Sequence, residues 1–215
     1  MSSRRSYGDR CGIARALDLI GERWALLVIR ELMLGPKRFT DLRAGLPQIG
    51  PDVLAQRLRE LEQAGVVQRR KLPPPAASRV YELTSWGEAL EPAVLALGRW
   101  GSRAPFPAGS AAFGADSAIL ALKTLFAPAA AEGFEARVAL RLGQDGFGAH
   151  VAAGRLEIAR GEPNDPDAVI ETEPATLAAL LWHGGELQPA LDAGKLKLEG
   201  DHAAAKRFLE LFPPA

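Results

Sequence analysis

Cysteine is almost missing from this chain: Cys11 is the single one among 215 residues. No internal disulfide can form, which excludes a stapled secreted framework and fits a reducing cytoplasm. The histidines, His150, His183 and His202, stand at no metal-ligand spacing from Cys11 or a carboxylate. Long apolar runs are missing too. The run from Trp24 to Ile29 stops at Arg30 and Glu31, well short of the roughly 20 residues a membrane span needs. The basic start around Arg4 and Arg5 precedes no signal-peptide core. There is no glycine-rich phosphate loop and no nucleophile elbow. Neither an enzyme, a cofactor nor a membrane partner is expected.

Net charge is also absent, because 26 basic and 26 acidic residues cancel. Taken whole, this argues against a polyanion as partner. The two halves differ, however. Residues 1–103 hold 17 Lys/Arg against 11 Asp/Glu, a net +6, and residues 104–215 hold 9 against 15, a net −6. Such asymmetry implies two domains, the first facing a polyanion. The change of sign coincides with residues 101–117, where 13 of 17 residues are Gly, Pro, Ser or Ala. That composition buries little apolar surface and reads as a linker. The expected domains are therefore 1–100 and 118–215. With 47% apolar and 24% charged residues, each half can build a packed core.

In the first half, Ile13, Leu17 and Ile20 share one face of a helix that Gly21 ends. Trp24 to Leu34 reads as a second, buried helix stopped by Gly35-Pro36. Thr40 can cap a short third helix through Leu46. A fourth opens at Pro51 or Asp52, with Leu54, Leu58 and Leu61 on its core side and Asp52, Gln56, Arg59 and Gln63 opposite. The period then shifts to two: 66–72 and 79–84 read as strands around the loop Pro73–Ser78. Ser85 and Glu88 have capping-box spacing for a last helix, whose apolar stripe is Trp86, Leu90, Val94, Leu97 and Trp100 and which Pro92 should kink.

This order is that of a winged helix-turn-helix. A helix with a polar outer face fits the major groove, and a basic hairpin neutralises phosphates or enters the minor groove. Gln56 and Arg57 are the first candidates for base contact, followed by Asp52, and Arg59 on the same outer face is a further DNA-binding candidate. Arg38, Thr40 and Arg43 are candidate phosphate anchors, as are Arg69, Arg70, Lys71 and Arg79 at the wing. For each of these the competing reading is an ordinary solvated or capping residue.

The stretch CGIARALDLIGERWALLVIRELMLGPKRFTDL, followed by IGPDVLAQRLRELEQAGVV and RVYELTSWGEAL, resembles the HxlR family of winged-helix regulators over roughly residues 7–101. The resemblance implies a homodimer paired through its first and last helices, reading a near-palindrome in double-stranded DNA. It also implies a redox- or electrophile-sensitive thiol at Cys11, whose thiolate Arg10 and Arg15 would favour; the competing reading is an inert small residue near the dimer interface.

The second half reads as α+β: a helix at 118–126, strands at 134–142, 147–153, 155–159 and 168–172, a helix at 173–182, a strand at 195–199, and a last helix capped by Asp201. Gln144-Asp145-Gly146 reads as a turn. GKLKLEGDHAAAKRFLELF, with the segment before it, is similar to the SCP2-type sterol-carrier fold. That similarity implies a cavity for a small apolar effector, with Leu177, Leu181, Trp182, Phe208 and Phe212 as candidate lining residues; plain core packing is the competing reading. The fold class expected is thus α+β, a winged helix-turn-helix followed by an SCP2-like domain. The function expected is a dimeric DNA-binding regulator. The alternative is a lipid or small-molecule carrier whose winged helix makes protein contacts.

Overall fold

The computed structural model describes residues 6–74, 77–104, 114–182 and 185–213. The chain divides into two units, Met1–Val94 and Leu95–Ala215. Residues 105–113 of the expected linker lie outside the described residues.

The first unit runs α1 (Gly12–Ile20), α2 (Ala25–Leu32), α3 (Phe39–Gly45), α4 (Pro51–Gln63), β1 (Val67–Lys71), β2 (Arg79–Leu83) and α5 (Ser85–Glu88), and the division between the units falls within α6 (Glu91–Gly101). β1 and β2 pair antiparallel, with Val67 opposite Leu83 and Lys71 opposite Arg79. Lys37 adds a backbone bridge to Tyr81 at the edge of this ribbon. The core joins Val28, Ile29 and Leu32 to Leu42, Leu54, Leu58 and Leu61, so the leucine spacing of α4 gives its buried side as expected.

Helix ends depart from the sequence reading, because several local donors and acceptors compete for each cap. α2 begins one residue after Trp24, whose backbone is left-handed (φ 77°), and ends at Leu32. α3 starts after Arg38, and Thr40 lies inside it; the Arg38 N–H donates to Asp41 Oδ2 at 3.1 Å. Thr84, not Ser85, caps α5: its Oγ1 accepts from the Gly87 N–H at 3.1 Å and donates to the Gly65 carbonyl at 2.7 Å. Gly87 is required there, since a Cβ would collide with the Val66 carbonyl oxygen. The expected last helix breaks at Ala89–Leu90. Pro92 lies in the first turn of α6, where its missing N–H has no helical partner to lose.

The second unit contains α7 (Ala115–Leu125), a 3-10 turn (Pro128–Ala131), β3 (Ala136–Leu142), β4 (Asp145–Ala152), β5 (Arg155–Arg160), β6 (Ala168–Thr172), α8 (Pro174–Trp182), α9 (Leu187–Asp192), β7 (Leu196–Gly200) and α10 (His202–Leu209). The sheet order is β5-β4-β3-β6-β7. β3 and β6 are parallel at its centre, and the other neighbours are antiparallel. Phe147, Leu140, Ile170 and Leu198 form one cross-strand row. α10 packs on β3, β6 and β7, and α7 packs on β5 and α8.

Several boundaries move. α7 starts at Ala115 rather than residue 118, with Asp116 buried in an ion pair with Arg160. β3 starts at Ala136 rather than residue 134. Leu142 pairs with Asp145, so the turn is Gly143-Gln144. Asp201 caps α10 as expected, accepting from the N–H groups of Ala203 and Ala204 at 2.8 and 3.0 Å. Gly200 before it has φ +76°, and a Cβ there would lie 2.5 Å from the Asp167 carbonyl oxygen. Only glycine makes that corner.

Candidate nucleic-acid interface

α4 starts without a side-chain cap. Gly50 is extended, Pro51 is the first helical residue, and Asp52 places a carboxylate in the first turn. Leu54, Leu58 and Leu61 anchor the helix in the core, while Pro51, Asp52, Val53, Arg59 and Gln63 are exposed.

The two residues first chosen for base contact are engaged within the protein. The Gln56 amide donates to Glu60 Oε1 at 2.6 Å, and its carbonyl oxygen accepts from Arg59 Nη2 at 2.7 Å. Arg57 turns inward. Its side chain is 13% exposed, paired with Glu60 and 3.7 Å from Glu22. Asp52 and Arg59 therefore stay on the open face, Gln56 is tied along it, and Arg57 lies off it. Sequence reasoning weighed residue types and missed these acidic partners, although the i,i+3 and i,i+4 spacing of Glu60 signals them.

Next to α4, Arg38 and Arg43 are exposed at the two ends of α3. Thr40 Oγ1 donates to Asp41 Oδ1 at 3.2 Å. Asp41 thus organises both the cap and Thr40, a role the sequence reading gave to Thr40.

The wing projects. Gln68, Arg69, Arg70 and Lys71 are all exposed, the mark of a ribbon with solvent on both faces. Arg70 Nε is 2.8 Å from Glu82 Oε2, and Gln68 donates to the other Glu82 oxygen at 3.0 Å. Arg69 pairs with Glu62 at 3.0 Å and stacks 5.3 Å above the Tyr81 ring. Lys71 and Arg79 stand directly opposite one another. Facing like charges repel, and an anion relieves that repulsion.

Cys11 precedes α1 and is exposed. The backbone N–H groups of Ile13 and then Ala14 hold its thiol below the usual range. Its own N–H donates to Asp9 Oδ1 at 2.9 Å. No residue of α1 is buried, and Ile13 is 73% exposed. A groove of about 360 Å³ is lined by Ala16, Leu19, Ile20, Val66, Trp86 and Leu90 among others. α6 likewise leaves Leu97 and Trp100 exposed.

In the second unit the residues proposed for an apolar pocket separate into two sets. Leu177, Phe208 and Phe212 are fully enclosed. Phe208 and Phe212 meet edge to face at 5.1 Å, and Phe126 lies 6.1 Å from Phe212. Leu181 and Trp182 are half-buried at the end of α8. A separate polar cleft of about 210 Å³ is lined by Glu171, Thr172, Glu173, Thr176, Lys195 and Lys197 among others. Among the described residues there is no cluster of His, Cys, Asp or Glu able to hold a metal ion, and no helix long and apolar enough to cross a membrane.

Residues 19–106 match the model of the HxlR-like helix-turn-helix family, and residues 118–213 match that of the SCP-2 sterol transfer family. The uncharacterized HTH-type transcriptional regulator YvaP of Bacillus subtilis (strain 168) is 37% identical over 86 residues, 40% of this chain and 80% of that protein. The HTH-type transcriptional regulator YodB of the same organism is 41% identical over 85 residues, 40% of this chain and 76% of that protein. The solved structure of the redox regulator HypR in its oxidized form is 34% identical, covering 45% of this chain and 100% of that one, with a TM-score of 0.42.

Proposed function

The chain belongs to the HxlR-like helix-turn-helix family of transcriptional regulators, and from that premise we propose that it reads a near-palindromic operator as a homodimer. The observation that carries this reading is the pairing of α4 with the wing. Three leucines bury one side of α4, its other side is open and polar, and beside it stands a ribbon with Arg69, Arg70, Lys71 and Arg79 exposed. A helix of this kind enters a major groove while the ribbon meets the backbone. Asp52, Gln56 and Arg59 face bases. Arg38, Thr40, Arg43, Lys71 and Arg79 face phosphates, with Arg69 and Arg70 joining after exchanging their carboxylates for phosphate oxygens. Arg57 acts indirectly, by fixing Glu60 beside Gln56.

The bare apolar side of α1 supports pairing of two chains, since an exposed patch of large apolar residues marks an interface. Two-fold pairing sets half-sites about one helical turn apart. Cys11, exposed and biased toward thiolate, lies just ahead of that helix, so its modification changes the pairing surface.

The SCP-2 domain takes a small apolar effector, entering at α8. That helix is apolar apart from Thr176, yet Leu180, Leu181 and Trp182 are only half-buried. The effector shifts operator affinity only by its differential affinity for the two states.

The test is enrichment of sheared genomic DNA by the full-length protein, followed by sedimentation of the enriched duplex with protein. Recovery of promoter fragments bound by two chains supports the reading. Equal recovery of random fragments refutes it.

A further inference from the structure

Val53 is 42% exposed in the first turn of α4. Among the described residues of α4, the other exposed side chains are Pro51, Asp52, Arg59 and Gln63, so Val53 is the one branched apolar group on a surface whose only other apolar member is the Pro51 ring. Local stability does not explain it, because β-branched residues lose side-chain freedom in a helix and rank below alanine. Nor is it enclosed, since 42% of its surface stays open.

Its position matters because recognition helices present their N-terminal residues to base edges. The polar side chains one turn further on, Gln56 and Arg57, are held by Glu60, Arg59 and Glu22. The first turn thus meets DNA with Asp52 and Val53 as its free side chains. Among the bases, thymine alone offers an apolar group in the major groove, its 5-methyl. The basic ribbon beside α4 supplies the charge that a duplex requires.

We propose that Val53 is a specificity-determining residue that reads a thymine 5-methyl group in each half-site. The inference rests on the DNA-reading role given above. Removing one buried methyl from either side of the contact costs about fourfold in affinity.

The test uses the full-length protein and a duplex it enriches from a random-sequence pool. Thymines are replaced one at a time by deoxyuridine, which pairs identically and lacks only the methyl. The expected result is one thymine per half-site whose replacement weakens binding about fourfold. Val53→Ala, which removes both γ-methyls, should lose about 4- to 15-fold on the thymine duplex, according to whether one or both are buried in the contact, and become indifferent to uracil at that position. Circular dichroism and sedimentation of Val53→Ala should match the unmodified protein, since an exposed alanine favours the helix. Insensitivity at every thymine, with tight binding retained, overturns the inference while leaving DNA reading intact. Unchanged thymine-to-uracil discrimination in Val53→Ala does the same. Failure to enrich any duplex overturns the DNA-reading role and the inference with it.

Discussion

Lys37 Nζ lies 2.5 Å from Glu31 Oε2, and the Glu31 carboxylate is buried in the first unit. Arg30 meets its other oxygen at 2.7 Å. Lys37 also exchanges backbone hydrogen bonds with Tyr81 on the wing, at 2.8 and 2.9 Å. Lys37 therefore ties α2 to the wing. Removing one partner of a buried pair leaves an uncompensated charge. Lys37→Ala should cost about 2–4 kcal/mol of stability, softened by the remaining Arg30. The urea midpoint of the full-length protein measures this. A loss under about 0.5 kcal/mol would show that Arg30 alone satisfies the carboxylate. Gly45→Ala should destabilise too, because its Cβ would collide with the same carboxylate.

The wing cations should not be equivalent. Arg70 is neutralised by Glu82, while Arg79 faces Lys71 across the ribbon. Arg79→Ala should remove about one phosphate contact per chain, lowering the salt slope of a dimer by about 2 and weakening all sequences alike. Arg70→Ala should change the slope less, since an arginine already neutralised by Glu82 contributes less to phosphate neutralisation. Equal slopes for the two variants would contradict the pairing described here.

Much of this was legible in the sequence, for physical reasons that differ by element. Leu54, Leu58 and Leu61 announced the buried side of α4, because burial of a stripe dominates helix orientation. Asp201 announced α10 through one strong cap. Weak local rivals were not legible. Thr84 won the α5 cap from Ser85 because its hydroxyl also reaches the Gly65 carbonyl, a contact 19 residues away. The pairing of Arg57 with Glu60 is local and signalled by its i,i+3 spacing, whereas the approach of Glu22, 35 residues earlier in the chain, depends on the fold. Glu31 and Lys37 raised no signal, since nothing in a sequence marks a charge as buried.

Cys11 should titrate early. The N–H groups of Ile13 and Ala14 favour the thiolate, lowering its pKa. Alkylation by iodoacetamide, followed against pH, should reach half its limiting rate below the pH of an ordinary cysteine, because the thiolate is the nucleophile. A midpoint at or above the ordinary value contradicts that environment.

Acid should weaken the second unit through its surface pairs. Arg141 holds Glu162 through two 2.9 Å bonds, and Lys197 holds Glu171 at 2.6 Å; both carboxyls are pulled below their usual range. A depressed folded pKa gives stability that is full above the unfolded value and is lost as pH falls through the folded one. Lys197, raised by Glu171, works at the other end: its contribution is full below the usual lysine value and disappears as pH rises through the raised one. These groups are exposed, so the effect is small. Thermal melts of Arg141→Met should show a flatter loss on the acid side and little change near neutrality. An unchanged acid limb would remove Glu162 from the account.

The most direct test of the central claim is the salt dependence of binding to a selected palindromic duplex, measured by fluorescence anisotropy beside a scrambled duplex. With about 6–10 phosphate contacts per dimer, affinity should fall ~10³–10⁵-fold between about 50 and 200 mM salt. Preference for the selected duplex should be at least ~10³-fold. A shallow slope, with equal affinity for both duplexes, would contradict the reading of this chain as a sequence-specific DNA-binding regulator.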